Sequence, residues 1–203
     1  RDQGLMDAFA KGQDIHQATA AEIFATNIDE VTANQRRSAK AINFGLIYGM
    51  SAFGLSKQLQ ITRAEAQNYI EQYFDRYPQV KHYMDETKQS AKKMGYVETV
   101  FGRRLYLADI ESSNYQRRQY AERSAINAPM QGTAADLIKM AMVLLHQKIS
   151  EESFEARIIM QVHDELVIEV NENQQDELSE LTTSIMSEIS KLDVDLKVDA
   201  DIG

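Results

Sequence analysis

The sequence predicts an α+β fold: a helical first half, then helices laid on a small antiparallel sheet. Three observations carry that expectation. Helix start and stop signals recur through the first ninety-five positions. Two stretches rich in β-formers follow, Tyr96 to Leu107 and Arg157 to Val170. Only two prolines and nine glycines interrupt 203 residues, so few long loops are expected.

The elements follow in order. Asp14 to Phe24 reads as a short helix with an acidic start. Thr32-Ala33-Asn34-Gln35 fits a capping box that opens a helix from about Ala33 to Tyr48, and Gly49 ends it. Ser51 to Leu59 is a second short helix. Thr62-Arg63-Ala64-Glu65 is another capping box, for a helix to about Tyr77. Pro78 suits a first helical position, and that helix stops at Gly95. Tyr96 to Leu107, broken by Phe101-Gly102, reads as a hairpin. Asn114 to Asn127 is helical, Pro129 interrupts, and Gln131 to Ile149 continues. Arg157 to Val170 is a hairpin around a tight turn at His163-Asp164. Gln174 to Lys191 is an amphipathic helix, and Leu196 to Ala200 a last strand.

Composition bounds the chemistry. The absence of cysteine excludes disulfides, zinc-thiolate sites and thiol catalysis, and fits a reducing, cytoplasmic setting. No apolar run approaches the ~20 residues of a membrane span, so no membrane partner is expected. The net charge of -9, taken whole, argues against nucleic acid. The charge is unevenly spread. Residues 31–123 carry fifteen basic and nine acidic side chains, whereas residues 150–203 carry three basic and fifteen acidic. Between Val31 and Ala64 there are five basic residues and no acid. Charge runs are commonly just solvated helix faces, yet this one keeps an anionic partner open.

Within that basic stretch, Arg36, Lys40, Phe44 and Tyr48 recur every four residues. On a helix they form one ridge roughly 18 Å long. Two cations lie near the helix N-terminus, where the dipole already favours anions, and two aromatics lie further along. A nucleoside triphosphate has phosphate at one end and a flat base at the other. The ordinary alternative is an amphipathic helix with Phe44 and Tyr48 in a core.

At these residues the sequence is more specific. Arg36 to Gly49 resembles the fingers motif of family A DNA polymerases: Arg, three residues, Lys, three, Phe, three, Tyr-Gly. The resemblance implies that Arg36 and Lys40 hold the incoming triphosphate, that Phe44 stacks near its sugar and base, and that Tyr48 borders the pairing pocket. His16, in Gly12-Gln13-Asp14-Ile15-His16, resembles a family histidine that also reaches the phosphates. Phosphoryl transfer needs positioning and charge neutralisation more than covalent help. Lys40 is therefore also a catalytic candidate, as a general acid to the pyrophosphate.

Gln161-Val162-His163-Asp164-Glu165-Leu166 places acids on a strand–turn–strand tip. Acids at turns are usually only solvated, but the apolar arms make this a rigid perch. The run resembles the family's palm motif. That implies Asp164 as a catalytic ligand of Mg2+, with His163 and Glu165 beside the primer end. Two-metal transfer uses carboxylates shared by two ions. The family supplies a second aspartate from a motif like Asp-Tyr-Ser-Gln-Ile-Glu, which this sequence does not contain. The expectation is of a fingers-and-palm fragment, with residues 1–113 mainly fingers and 114–203 part of the palm. The N-terminal part of the same polymerase and its thumb would be missing partners, and the isolated chain is expected to be inactive.

Arg123, Asn127 and Gln131 also recur every four residues. Tyr120 to Asp136 resembles a third family block, in which such side chains touch the duplex minor groove. Every base pair offers minor-groove acceptors in nearly the same places, so donors there check pair shape without reading sequence. Arg103-Arg104 and Arg117-Arg118 are candidate phosphate contacts.

Template-directed DNA synthesis, with primer-template DNA and dNTPs as partners, is thus the leading reading. A non-catalytic nucleic-acid-binding module is the alternative, and a phage-type RNA polymerase, which shares the Lys…Tyr-Gly pattern, a third. The resemblance also implies that phenylalanine at position 44 goes with rejection of nucleotides lacking a 3′-hydroxyl. In the intact parent, Phe44→Tyr is expected to raise dideoxynucleotide incorporation. Termination ratios measured on a primed template check this, and unchanged ratios refute it.

Overall fold

A computed structural model describes residues 1–203 as eight α-helices and two antiparallel two-stranded sheets. The chain divides into two compact units. The first holds residues 1–98 and 104–129; the second holds 99–103 and 130–203.

The first unit begins with α1 (Gln3–Ala10) and α2 (Ile15–Ile23), then a 3-10 turn at Ile28–Glu30. Next come α3 (Ala33–Ile47), α4 (Ala52–Leu59), α5 (Arg63–Arg76) and α6 (Pro78–Met94). Local chemistry sets these boundaries. Both capping boxes form, at Thr32 with Gln35 and at Thr62 with Glu65. Ser51 caps α4, and Pro78 opens α6. Gly95, at φ +75°, ends α6 in the left-handed conformation. The helices bury Ile23, Ile42, Leu46, Leu55, Tyr73 and Tyr77 in one core. A second cluster joins Ala91 of α6 to Val97, Leu107, Ala121 and Ala125. It sits at the base of the hairpin made by β1 (Tyr96–Glu98) and β2 (Arg104–Tyr106).

The sequence reading did not find α1. Its cap explains both why it forms and why it was missed. Asp2 is only 8% exposed. One carboxylate oxygen accepts from Leu5 N–H at 3.2 Å, and the other accepts from Gln79 N–H at 3.1 Å. One side chain thus caps α1 and satisfies an N–H in the first turn of α6, a pairing that spans most of the unit's sequence.

Two expectations are corrected. Pro129 does not interrupt its helix: α7 runs unbroken from Tyr115 to Glu151. Proline removes its own N–H from the ladder and crowds the carbonyl four residues back, a local cost that a 37-residue helix carries without ending. Beside that gap, the Tyr83 hydroxyl donates to the Ile126 carbonyl at 3.0 Å. Leu196 to Ala200 is not a strand. A strand needs a partner, and β3 and β4 pair only with each other. Its Lys197 and Asp199 also favour solvent over a sheet face.

The second unit contains the rest of α7, β3 (Ala156–Val162), β4 (Glu165–Val170) and α8 (Gln175–Glu188). Ala141, Leu145 and Ile149 of α7 bury with Phe154 and with Leu178 and Ile185 of α8. Leu166, Ile168 and Val170 face this core at the period-two spacing of a strand. The 99–103 loop belongs here too. Arg103 donates to Asp136 Oδ1 at 2.7 Å and to the Gly132 carbonyl at 2.9 Å. A Cβ on Gly132 would lie 2.6 Å from Thr99 Cγ2, a β-branched atom with little freedom to yield. Gly132→Ala is expected to cost about 1–3 kcal/mol of stability. Adding Thr99→Ser, which removes that methyl, should recover part of the loss. Urea unfolding of the single and double variants checks the pair, and additive effects would refute the clash.

Candidate functional site

The ridge predicted on α3 exists, and its direction is set by the opposite face. Ala39, Ile42 and Leu46 are buried, which turns Arg36, Lys40, Phe44 and Tyr48 outward. Phe44 and Tyr48 remain 44% and 37% exposed. Their ring centroids are 6.2 Å apart at 27°, and Lys40 Nζ lies 5.8 Å from the Phe44 centroid. His16 of α2 joins the strip, 5.5 Å from Phe44. The four ridge residues and His16, which the sequence offers in a separate motif, are therefore neighbours, with cationic groups at one end and aromatic rings at the other.

Arg36 is not idle. Its Nε donates to Asp14 Oδ2 at 2.7 Å, while Asp14 Oδ1 caps α2 by accepting from the N–H groups of His16 and Gln17. Burial raises the Asp14 pKa. The hydrogen bonds from Arg36 and the two N–H groups outweigh it and hold the carboxyl below its ordinary value. For His16, burial lowers the pKa; Asp14 opposes this, and Arg36 and Lys40 reinforce it. The imidazole is accordingly neutral at pH 7. The sequence marks Asp14 only as an acidic helix start. Its pairing across 22 positions has no local sequence signal.

The structure brings a third predicted group to the end of this ridge. Gly49 closes α3 at φ +73°, and a Cβ there would lie 3.3 Å from Arg123 Cγ on α7. The positive φ favours glycine, and the approach of Arg123 leaves little room for a side chain. Asn127 follows one turn later, with its Oδ1 buried and without a hydrogen-bond partner. Gln131, exposed, follows at the same spacing on α7.

His163, Asp164 and Glu165 sit on the β3–β4 hairpin of the second unit. The register pairs Val162 with Glu165, so His163 and Asp164 form the turn. His163 takes φ +54°, and Gln161 Nε2 donates to its carbonyl at 3.1 Å. All three side chains are exposed. Asp164 offers a hard oxygen donor of the kind magnesium prefers. It fits as one ligand, because no three metal-binding side chains gather around it. The residues at the tip supply part of a metal site and not a cage.

Three of the four paired arginines make contacts within the chain. Arg103 is bound to Asp136 and Gly132. Arg104 pairs with Glu98 at 2.7 Å and lies over the Tyr96 ring at 4.4 Å. Arg118 donates to the Ser112 carbonyl at 2.7 Å.

Comparison with known proteins places the chain. The family described as DNA polymerase family A matches residues 1–203. A protein named DNA polymerase I from Pseudomonas aeruginosa is 55% identical over 203 residues, which is all of this chain and 22% of that protein. DNA polymerase I of Geobacillus stearothermophilus is 48% identical over 202 residues, again 100% of this chain and 23% of the relative. The chain thus spans less than a quarter of the length of these curated relatives. Among solved structures, the POL domain of Pol1 from M. smegmatis, in complex with DNA primer-template and dNTP, superposes with a TM-score of 0.93 at 48% identity. The match covers 97% of this chain and 35% of that one. The chain belongs to DNA polymerase family A.

Proposed function

We propose that this chain grips the incoming nucleotide and presents part of the primer-end chemistry in template-directed DNA synthesis by its parent polymerase. The observation that carries this is the strip of His16, Arg36, Lys40, Phe44 and Tyr48. Its cationic end suits a triphosphate and its aromatic end a base. Residues 1–113 serve mainly as fingers and residues 114–203 as palm. The solved relative's primer-template DNA and dNTP support the same partners here.

Each residue has a physical role in this reading. Arg36 exchanges or shares Asp14 with phosphate oxygens. Lys40 neutralises charge and gives a proton to the leaving pyrophosphate. Phe44 and Tyr48 provide flat surfaces for sugar and base. Arg123, Asn127 and Gln131 carry N–H donors suited to the acceptors of the minor groove. Asp164 holds magnesium, with His163 and Glu165 near the primer terminus. Magnesium, when bound, supplies charge neutralisation at the transferred phosphoryl group and activation of the primer hydroxyl.

The nucleotide end and the metal end separate in their tests. Lys40→Leu is expected to slow the chemical step in the intact parent by roughly 100-fold or more. Rapid-quench single-turnover kinetics measures it; a chemical step that stays at the parent rate removes Lys40 as the acid. A second outcome concerns the 203-residue chain alone. The family's second aspartate motif is not in this sequence, and no three metal-binding side chains gather around Asp164, so the chain does not supply paired carboxylates to two ions. Primer extension with magnesium is expected to give no templated product, and clear extension would overturn this. A non-catalytic DNA-binding module would instead bind DNA in a salt-sensitive way while ignoring added triphosphate.

A further inference from the structure

The buried face of α3 carries one asparagine. Asn43 is 3% exposed, and its Nδ2 lies 3.0 Å from His16 Nδ1 and 3.1 Å from Thr19 Oγ1, both on α2. Its Oδ1 is buried without a hydrogen-bond partner. The direction of this amide decides where the imidazole keeps its proton. With nitrogen toward α2, both N–H groups find acceptors and one carbonyl oxygen is left over. Reversed, the oxygen would accept from His16 and Thr19, and two N–H groups would be stranded. A buried orphan donor is rarer than an under-satisfied carbonyl, so the first orientation is favoured.

In that orientation Nδ1 of His16 must be an acceptor, which leaves the proton on Nε2. An imidazolium would set its Nδ1–H against an Asn43 N–H. Phe44, 5.5 Å away at 47°, confines the ring from one side. The charged groups acting on the ring are Asp14 at the start of its own helix and Arg36 and Lys40 of α3, and burial joins the two cations in disfavouring a second proton.

We propose that Asn43 is a positioning residue: its amide locks His16 as the neutral Nε2–H tautomer, so that His16 presents a fixed donor to the phosphates of a bound nucleoside triphosphate. The final clause rests on the nucleotide reading above. The lock itself rests on the α2–α3 contact alone.

The chain has four histidines, His16, His82, His146 and His163, so 15N-histidine labelling yields a readable spectrum. Long-range proton–nitrogen correlation at pH 8 on the 203-residue chain reports the tautomer. Wild type is expected to show His16 with the proton on Nε2. Asn43→Leu should give mixed tautomers. Asn43→Asp, nearly isosteric, should move the proton to Nδ1, because a carboxylate only accepts. Should the leucine variant fail to fold, as judged by loss of dispersion at the other three histidines, the aspartate variant decides. A wild-type proton on Nδ1, or a tautomer indifferent to both substitutions, overturns the proposal. Deoxythymidine triphosphate with magnesium is then titrated in. The wild-type Nε2 signal should shift, and both variants should bind roughly tenfold more weakly. A locked wild-type ring whose signal ignores the triphosphate would sink the nucleotide reading and leave the lock standing.

Discussion

The rotation of α3 about its own axis is the constraint on which the rest of the site depends. Ile42 is fully buried and Leu46 is 1% exposed, and both enter the core that α4 and α5 complete. Burying two such side chains is worth about 3–6 kcal/mol before any loss of chain entropy. A helix held that firmly on one face has no freedom on the other. Positions 36, 40, 44 and 48 must then point outward together, whatever their own preferences for burial. This is why Phe44 stays exposed beside a core that accommodates Tyr73 and Tyr77. The cost of leaving an aromatic ring in water is met by packing elsewhere on the same helix.

The electrostatics of the site are tuned toward readiness for an anion. The Arg36–Asp14 pair is well aligned but partly exposed, and such pairs are worth only ~0–1 kcal/mol. Releasing Arg36 from Asp14 is therefore cheap, and in the proposed reading a phosphate takes its place. The two depressed groups favour the folded state in the same direction. Asp14 contributes stability above the ordinary carboxylate range and loses it as pH falls through its lowered pKa. His16, neutral when folded, contributes above the ordinary histidine range and loses it as pH falls below that range. The α2–α3 contact is thus a neutral-pH structure, with its cationic charge residing in Arg36 and Lys40.

What the sequence made legible follows from distance along the chain. Thr32 finds Gln35 and Thr62 finds Glu65 three positions away, so both boxes can be read in a line. The ridge was legible because its spacing is a property of any helix. The α1 cap needs Gln79, the Arg36 partner needs Asp14, and the Asn43 contact needs His16. Nothing local announces these, because tertiary packing creates them. Pro129 and Leu196 to Ala200 erred for related reasons. Local propensity does not decide either outcome, which depends on neighbours: the rest of a long helix in one case, a partner strand in the other.

The uneven charge has a physical consequence for how the two units meet an anionic partner. Residues 31–123 carry an excess of positive charge and attract phosphate directly; residues 150–203 carry an excess of negative charge and repel it. The hairpin tip lies in the repelling part, with Asp164 and Glu165 exposed and solvated. Were a nucleic-acid backbone to approach such a tip, cations between them would lower the repulsion, and divalent ions neutralise most per unit of space. In the proposed reading, the acidity of this region is an energetic reason for a metal to precede close contact with DNA. The basic ridge needs no such intermediary. In the proposed reading, the fingers recruit the anion and the palm admits it only when its own charge has been answered, which makes metal occupancy a condition of approach as well as of chemistry.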